Sequence, residues 1–320
     1  MHILQQKNAD ICMKNVDLET SIGICLAPSG SATGLTNLGN VGTCEEETLM
    51  AVRLAYHANC WGPLGGNAVG VTSITQLTYR TFADMDRAFA DIARAGYEGV
   101  EIFDGNLLDE APAELRRKLS EAGLGLVSTY SGGNFIFHDV LPEELARIER
   151  VAAAAAEAGA SHYVIGGGAK RVGGILADDY KRLAEALDRV GEIAKRAGLR
   201  AHYHPHLSTI VEGPSEVTRI FGLTTLDFCP DTAHLAAAGG DPAAQVRELA
   251  GRIGLVHLKG LQREPFGFTP LDAGDLDNGA VIQALKDTNY SGWVVAELDS
   301  WPDPQEGAAR SHAFLKRHFA

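Results

Sequence analysis

An alternation of short apolar runs with amphipathic stretches, kept up from Val52 to His318, constrains this chain more than any other feature. Val52–Trp61, Gly99–Phe103, Leu124–Tyr130 and Ser161–Ile165 read as the first four strands. Leu199–His206, Leu226–Pro230, Gly254–Lys259 and Gly292–Glu297 read as the other four. A helical stretch follows each. Thr81 is placed to cap the first helix, with Asp84 in its first turn, Phe82, Met85, Phe89 and Ile92 on one face, and Gly96 at its end. Pro142 opens the alanine-rich helix that runs to about Ala158. Strands that alternate with helices predict a parallel sheet. Eight such units in 320 residues predict an α/β fold of the (β/α)8 TIM-barrel type. A doubly wound sheet is the runner-up. No GxGxxG opens the first helix, and the glycines at 166–168 lack that spacing and read as a turn.

Residues 1–50 break the rhythm. Ser29–Gly42 is rich in Gly, Ser, Thr and Asn and holds no period, so 1–50 is expected to be a flexible extension and 51–320 the catalytic barrel. The net charge of −13 argues against nucleic acid and against an anionic membrane surface. Five cysteines (Cys12, Cys25, Cys44, Cys60 and Cys229), without close pairing or a CxxC, point to a reducing compartment. With no signal-peptide pattern and no membrane-length apolar run, a cytoplasmic location is expected.

In a barrel of this type the functional groups gather at the C-terminal ends of the strands. The fifth run ends in Tyr203–His204–Pro205–His206, and strand alternation puts His204 and His206 on one face. Hydrogen bonding inside the core and metal ligation both explain such a pair. Asp231 ends the sixth run, His257 the seventh and Glu297 the eighth. Four neighbouring strand ends thus offer imidazole or carboxylate. The mixed nitrogen and oxygen set suits Mn, Co, Fe, Zn or Mg.

These stretches resemble the xylose-isomerase-like barrel superfamily of sugar isomerases and epimerases, and within it the inosose-dehydratase-like lyases. The pieces that carry the resemblance are Tyr203–His206, Asp231–His234, Gly239–Pro242, His257–Lys259, Phe268–Pro270 and Gly292–Glu297, and the rhythm covers about 52–318. The resemblance implies a divalent metal, manganese first, held by His206, Asp231, His257 and Glu297. Epimerases of the superfamily carry a glutamate at the fifth strand end and a second six residues on. Glu212 fits the second, which sets His206 at the first. That departure disfavours proton transfer between two facing carboxylates. It favours abstraction of an α-proton followed by β-elimination from a keto-cyclitol or keto-sugar.

The resemblance also assigns His234 to substrate hydroxyls, with a plain loop histidine as the alternative. His204 is a candidate general base or extra ligand, Lys259 a candidate base or substrate contact, and Glu212 a candidate acid or base. Glu101, His57, Trp61 and Arg263 are candidate substrate contacts, with packing or ion pairing as the alternative for each. Lys170 and Arg171 read as a solvated pair and Cys229 as core. A ketose isomerase or 3-epimerase, and a barrel subunit of a hetero-oligomeric glycoside-cleaving lyase, are the competing readings. A small polyol or sugar substrate and a homo-oligomer are expected. The long connection Gly62–Arg80, with Val69, Val71, Ile74 and Leu77, is a candidate dock for a small partner subunit.

Overall fold

The computed structural model describes residues 52–64 and 78–320. The expected 1–50 extension and the apolar positions Val69, Val71, Ile74 and Leu77 lie outside them. Ten strands occur among the described residues. They are β1 (Arg53–His57), β2 (Gly99–Phe103), β3 (Gly125–Gly133), β4 (His162–Gly167), β5 (Arg200–Tyr203), β6 (Asp227–Phe228), β7 (Leu255–Leu258), β8 (Gly260–Gln262), β9 (Gly267–Thr269) and β10 (Trp293–Ala296). Eight form one sheet in the order β6-β5-β4-β3-β2-β1-β10-β7, and each adjacent pair is parallel. Parallel bridges from Phe228 to Ile253 and from Asp231 to His257 join the two ends and close the barrel. The TIM-barrel expectation therefore holds. Strands β8 and β9 form a separate antiparallel hairpin that continues from β7.

The apolar pattern explains the layering. Tyr56, Val100, Ile102, Tyr163, Tyr203 and Val294 face outward and pack with Phe89, Ile92, Leu187 and Ile282 of the helices. Ala55, Phe103, Val127, Val164, Cys229, Leu255 and Val295 fill the barrel interior. This division is the period-2 alternation of strands covered on both faces.

Several boundaries moved for local reasons. Asp84, not Thr81, caps the first helix (Met85–Ala95), because its carboxylate accepts from Arg87 N. Thr81 instead donates its hydroxyl to Ala58 O, and Phe82 is left exposed. Gly96 ends the helix at φ +103°, a conformation that suits glycine. Strand β5 stops at Tyr203 although the apolar run reached His206. Pro205 has no N–H to extend the ladder, and the last ladder-like bond is His204 N to Ile165 O at 2.8 Å. Pro230 follows β6 in the same way.

A histidine pair sits low in the barrel. His162 Nδ1 and His202 Nε2 are 2.8 Å apart, so one ring donates and the other accepts. Burial and then Arg200 push His162 down to about 4, and burial holds His202 well below the usual imidazole range. The unfolded chain therefore binds protons more readily than the folded one. Stability from these groups is complete above the ordinary value of 6.5 and is lost as the pH falls from 6.5 toward 4. His162 alone accounts for about 3 kcal/mol over that interval. Thermal melts across this range are expected to show the loss, with a shallower slope in His162→Asn. Parallel slopes for the two proteins would refute the assignment.

Candidate functional site

The ends of β1, β2, β6, β7 and β10 bring a dense set of ionisable groups to the barrel mouth. At its centre is Lys259, which is fully buried one residue past β7. Its Nζ lies 2.9 Å from Glu297 Oε1, 3.1 Å from Asp299 Oδ1 and 3.3 Å from Asp231 Oδ2. Burial alone would discharge this amine. Asp231, Asp299 and Glu297 more than offset that effect and hold it well above the usual lysine range. Burial likewise works against the charge on Glu297, and Lys259 and His257 keep its carboxyl well below the usual range.

His257 is held between two carboxylates. Its Nδ1 is 2.7 Å from Glu297 Oε2, and its Nε2 is 3.1 Å from Glu101 Oε1. Glu101 has no exposed surface, and its other oxygen takes the Ser128 hydroxyl. It therefore sits beneath the mouth as an orienting carboxylate, of the kind that commonly fixes the ring of a metal-bound histidine. His57 lies 3.2 Å from the same Glu101 oxygen, with its edge against the Phe103 ring. Burial holds His57 below its usual range, although Glu101 and Glu297 act in the opposite sense.

Asp231 does two things at once. Its Oδ1 caps the helix Thr232–Ala237 by accepting from Ala233 N and His234 N. Its Oδ2 is buried without a hydrogen bond, as are Glu101 Oε1 and His257 Nε2. Asp231, His257 and Glu297 each present a donor atom, all within 4.8 Å of one another. Buried donors of mixed nitrogen and oxygen type in one small volume, with Asp231 Oδ2 left without a hydrogen bond, fit a divalent ion. Three of the four residues expected to be ligands are therefore together.

His206, the fourth, stands with His204 and His234 in a second group of the same dimensions. The His206 and His234 rings lie 3.7 Å apart at 40°, and those of His204 and His206 lie 5.8 Å apart. Burial holds His204 and His234 well below the usual imidazole range, so both rings are neutral bases near pH 7. The Phe268 ring, on β9, covers this side of the mouth. It stands 4.7 Å from Lys259 Nζ and 5.1 Å from the His234 ring.

Other candidates are engaged elsewhere. Glu212 pairs with Lys170 at 2.8 Å and accepts from Ser208 N. Lys170 is thus half of an ion pair, and Arg171 holds Asp179. Trp61, a candidate substrate contact, lies past the end of β1 at His57, so strand alternation does not carry it to the His57 face. The indole instead donates to Asp91 Oδ2 at 3.0 Å and packs edge-on to Tyr56. Arg263 turns its guanidinium to Ala236 O. Two residues of the site went unassigned in the sequence. Asn59 donates to Glu297 Oε1 at 3.2 Å and to Asp299 Oδ1 at 3.1 Å, and Asp299 closes the cage around Lys259. Each stands two residues beyond a recognised group, His57 or Glu297, and that spacing was the available signal.

A closed barrel with carboxylates, imidazoles and a buried lysine at the C-terminal ends of its strands has the architecture on which TIM-barrel enzymes build their sites. The family model for the xylose isomerase-like TIM barrel matches residues 89–318, and the chain belongs to that family. An inosose dehydratase from Geobacillus kaustophilus is 26% identical over 250 residues, which cover 68% of this chain and 80% of the relative. A solved L-ribulose 3-epimerase superimposes with a TM-score of 0.67 at 20% identity, covering 84% of this chain and 94% of that one. A probable 3-DHS dehydratase from Bacillus anthracis superimposes with a TM-score of 0.63 at 16% identity, covering 83% and 99%. No helix of the described residues is long and apolar enough to cross a membrane.

Proposed function

We propose that the protein is a divalent-metal-dependent lyase that removes water from a keto-cyclitol or keto-sugar. The observation that carries this reading is the buried Asp231–His257–Glu297 donor group, set against a protonated Lys259 and two neutral imidazoles. The dehydratase name of a relative matched over most of its length supports the same chemistry. Asp231, His257 and Glu297 would hold the ion, with manganese the first expectation. When bound, it supplies Lewis-acid polarisation of the substrate ketone.

The rest falls to the chain's own groups. A base is needed for the α-proton, and His204 or His234, kept neutral by burial, accepts it. Lys259 keeps its proton and faces the same space. It stabilises the developing enolate oxygen, and the imidazolium formed on the base returns the proton to the departing β-hydroxyl. The C–H and C–O bonds break, a C=C bond forms and one water leaves, so the reaction balances without an oxidant. Asn59 and Asp299 position Glu297 and Lys259. Epimerisation through two facing carboxylates is less well supported, because a histidine stands at position 206. The purified, metal-supplemented protein is expected to produce a new ultraviolet absorbance from inosose as a conjugated product forms. Exchange of the α-proton with solvent without that absorbance would replace the lyase reading with isomerisation or epimerisation.

A further inference from the structure

We infer that Tyr79 determines substrate specificity: with Phe103 and Tyr130 it forms an aromatic wall at the barrel mouth that selects a ring polyol over an open-chain one. The inference rests on the mouth being a polyol site, as proposed above. The Tyr79 ring packs edge-on against Tyr130 at 5.3 Å and against Phe103 at 5.7 Å. Phe103 and Tyr130 lie 5.8 Å apart and complete the set. The wall meets the polar floor at two points. Phe103 is 4.5 Å from the His57 ring, and Tyr130 is 5.5 Å from the His204 ring. Phe103 and Tyr130 are buried, whereas Tyr79 keeps part of its surface open. Burial holds both phenols above the usual tyrosine range, so the wall is uncharged. Phe268 comes from the hairpin after β7, which stands across the barrel from β3. The charged groups thus lie between two aromatic flanks.

Tyr79 is clamped where the first long connection returns to the barrel. Its N–H donates to Asp104 Oδ1 at 2.8 Å, and its carbonyl accepts from Gly105 N at 2.9 Å. Asp104 is fully buried, and its other oxygen takes Arg147 Nη1 at 2.7 Å and the Ser131 hydroxyl at 2.9 Å. The Tyr79 ring then lies against Gly132, where a Cβ would collide with its edge. Gly166 gives the Tyr130 hydroxyl the same clearance. Glycines near the ends of β3 and β4 therefore make room for the two phenols. A ring polyol with its hydroxyls at the rim presents C–H faces above and below. Such a face fits an aromatic surface while the rim meets the imidazoles and carboxylates. An open chain turns hydroxyls to every side, and those against the wall lose water without gaining a partner.

The test is calorimetric binding of two unreactive probes, myo-inositol and sorbitol, to the whole chain supplied with manganese. The probes match in carbon and hydroxyl count, one as a ring and the other as an open chain. Neither has a ketone, so neither elimination nor epimerisation intrudes. Wild type is expected to bind myo-inositol about tenfold more tightly, the worth of one well-placed aromatic contact. Tyr79→Leu is expected to bring the two affinities within about twofold of each other. Gly132→Ala should do the same, because its methyl group displaces the Tyr79 ring. The ratio is read within one sample, so a smaller folded fraction does not move it. Equal affinities in wild type, or no binding of either probe, would overturn the inference. A native ratio in Tyr79→Leu or in Gly132→Ala would overturn it too. Ring preference in a protein that does not dehydrate inosose would keep the wall and remove the lyase reading, and dehydration without ring preference would do the reverse.

Discussion

Glu297→Gln is expected to abolish turnover while leaving a folded barrel. Glutamine keeps the shape, and its oxygen still accepts from Asn59 Nδ2, which donates to Glu297 Oε1 at 3.2 Å in the native protein. The charge is what disappears. Lys259 loses the closest of its three carboxylates, His257 loses the partner at 2.7 Å, and the candidate metal-donor group loses one of its two carboxylates. Replacing a group that merely orients a ligand already costs roughly 10–100-fold in metal affinity or activity. As the direct ligand proposed above, Glu297 should cost more, so the loss of activity should exceed about 100-fold. The fold should survive because Lys259 retains Asp231 and Asp299. Rates on inosose, metal per chain and a thermal melt are the three readings. A variant with native turnover would remove Glu297 from the site.

Lys259→Met is expected to have the larger effect on stability. The native ammonium is surrounded by Asp231, Glu297 and Asp299 at 3.3 Å or less, and two of these are themselves buried. Methionine fills much of the volume but leaves the carboxylates facing one another. Removing one partner from a buried ionic cluster costs about 3–5 kcal/mol, because the remaining charges stay desolvated. For a chain of this size that lowers the melting midpoint by roughly 10 °C. Manganese should restore part of the loss, since a dication can supply the missing charge. That recovery separates an electrostatic cause from a packing one, which added metal would not repair. An unchanged midpoint in metal-free protein would show that Lys259 is not the counter-charge of the cluster.

The barrel was legible in the chain because its cause is local. Each strand needs a short apolar run and each helix a 3.6-residue stripe, and both are properties of consecutive residues. Asp231, His257 and Glu297 were legible for a related reason. A polar residue at the end of an apolar run has few places to go in a barrel except the mouth. Where the reading failed, the chain had left its regular path. Trp61 lies past the end of β1, where alternation no longer governs direction, and β5 stopped short of His206 because Pro205 cannot extend the ladder.

What the sequence determined by itself was the set of strand ends and the chemistry each carries. Only the tertiary structure decided which of those groups meet. Lys259 was a lysine near a site until three carboxylates from two strand ends enclosed it, and Glu101 was a candidate substrate contact until burial set it under His257. Glu212 was spaced like a catalytic residue, yet Lys170 holds it in an ion pair. The physical reason is one of range. Periodicity and capping act over a few residues, whereas ionisation and ligation depend on distances of about 3 Å between atoms far apart in the chain, and closure of the barrel sets those distances.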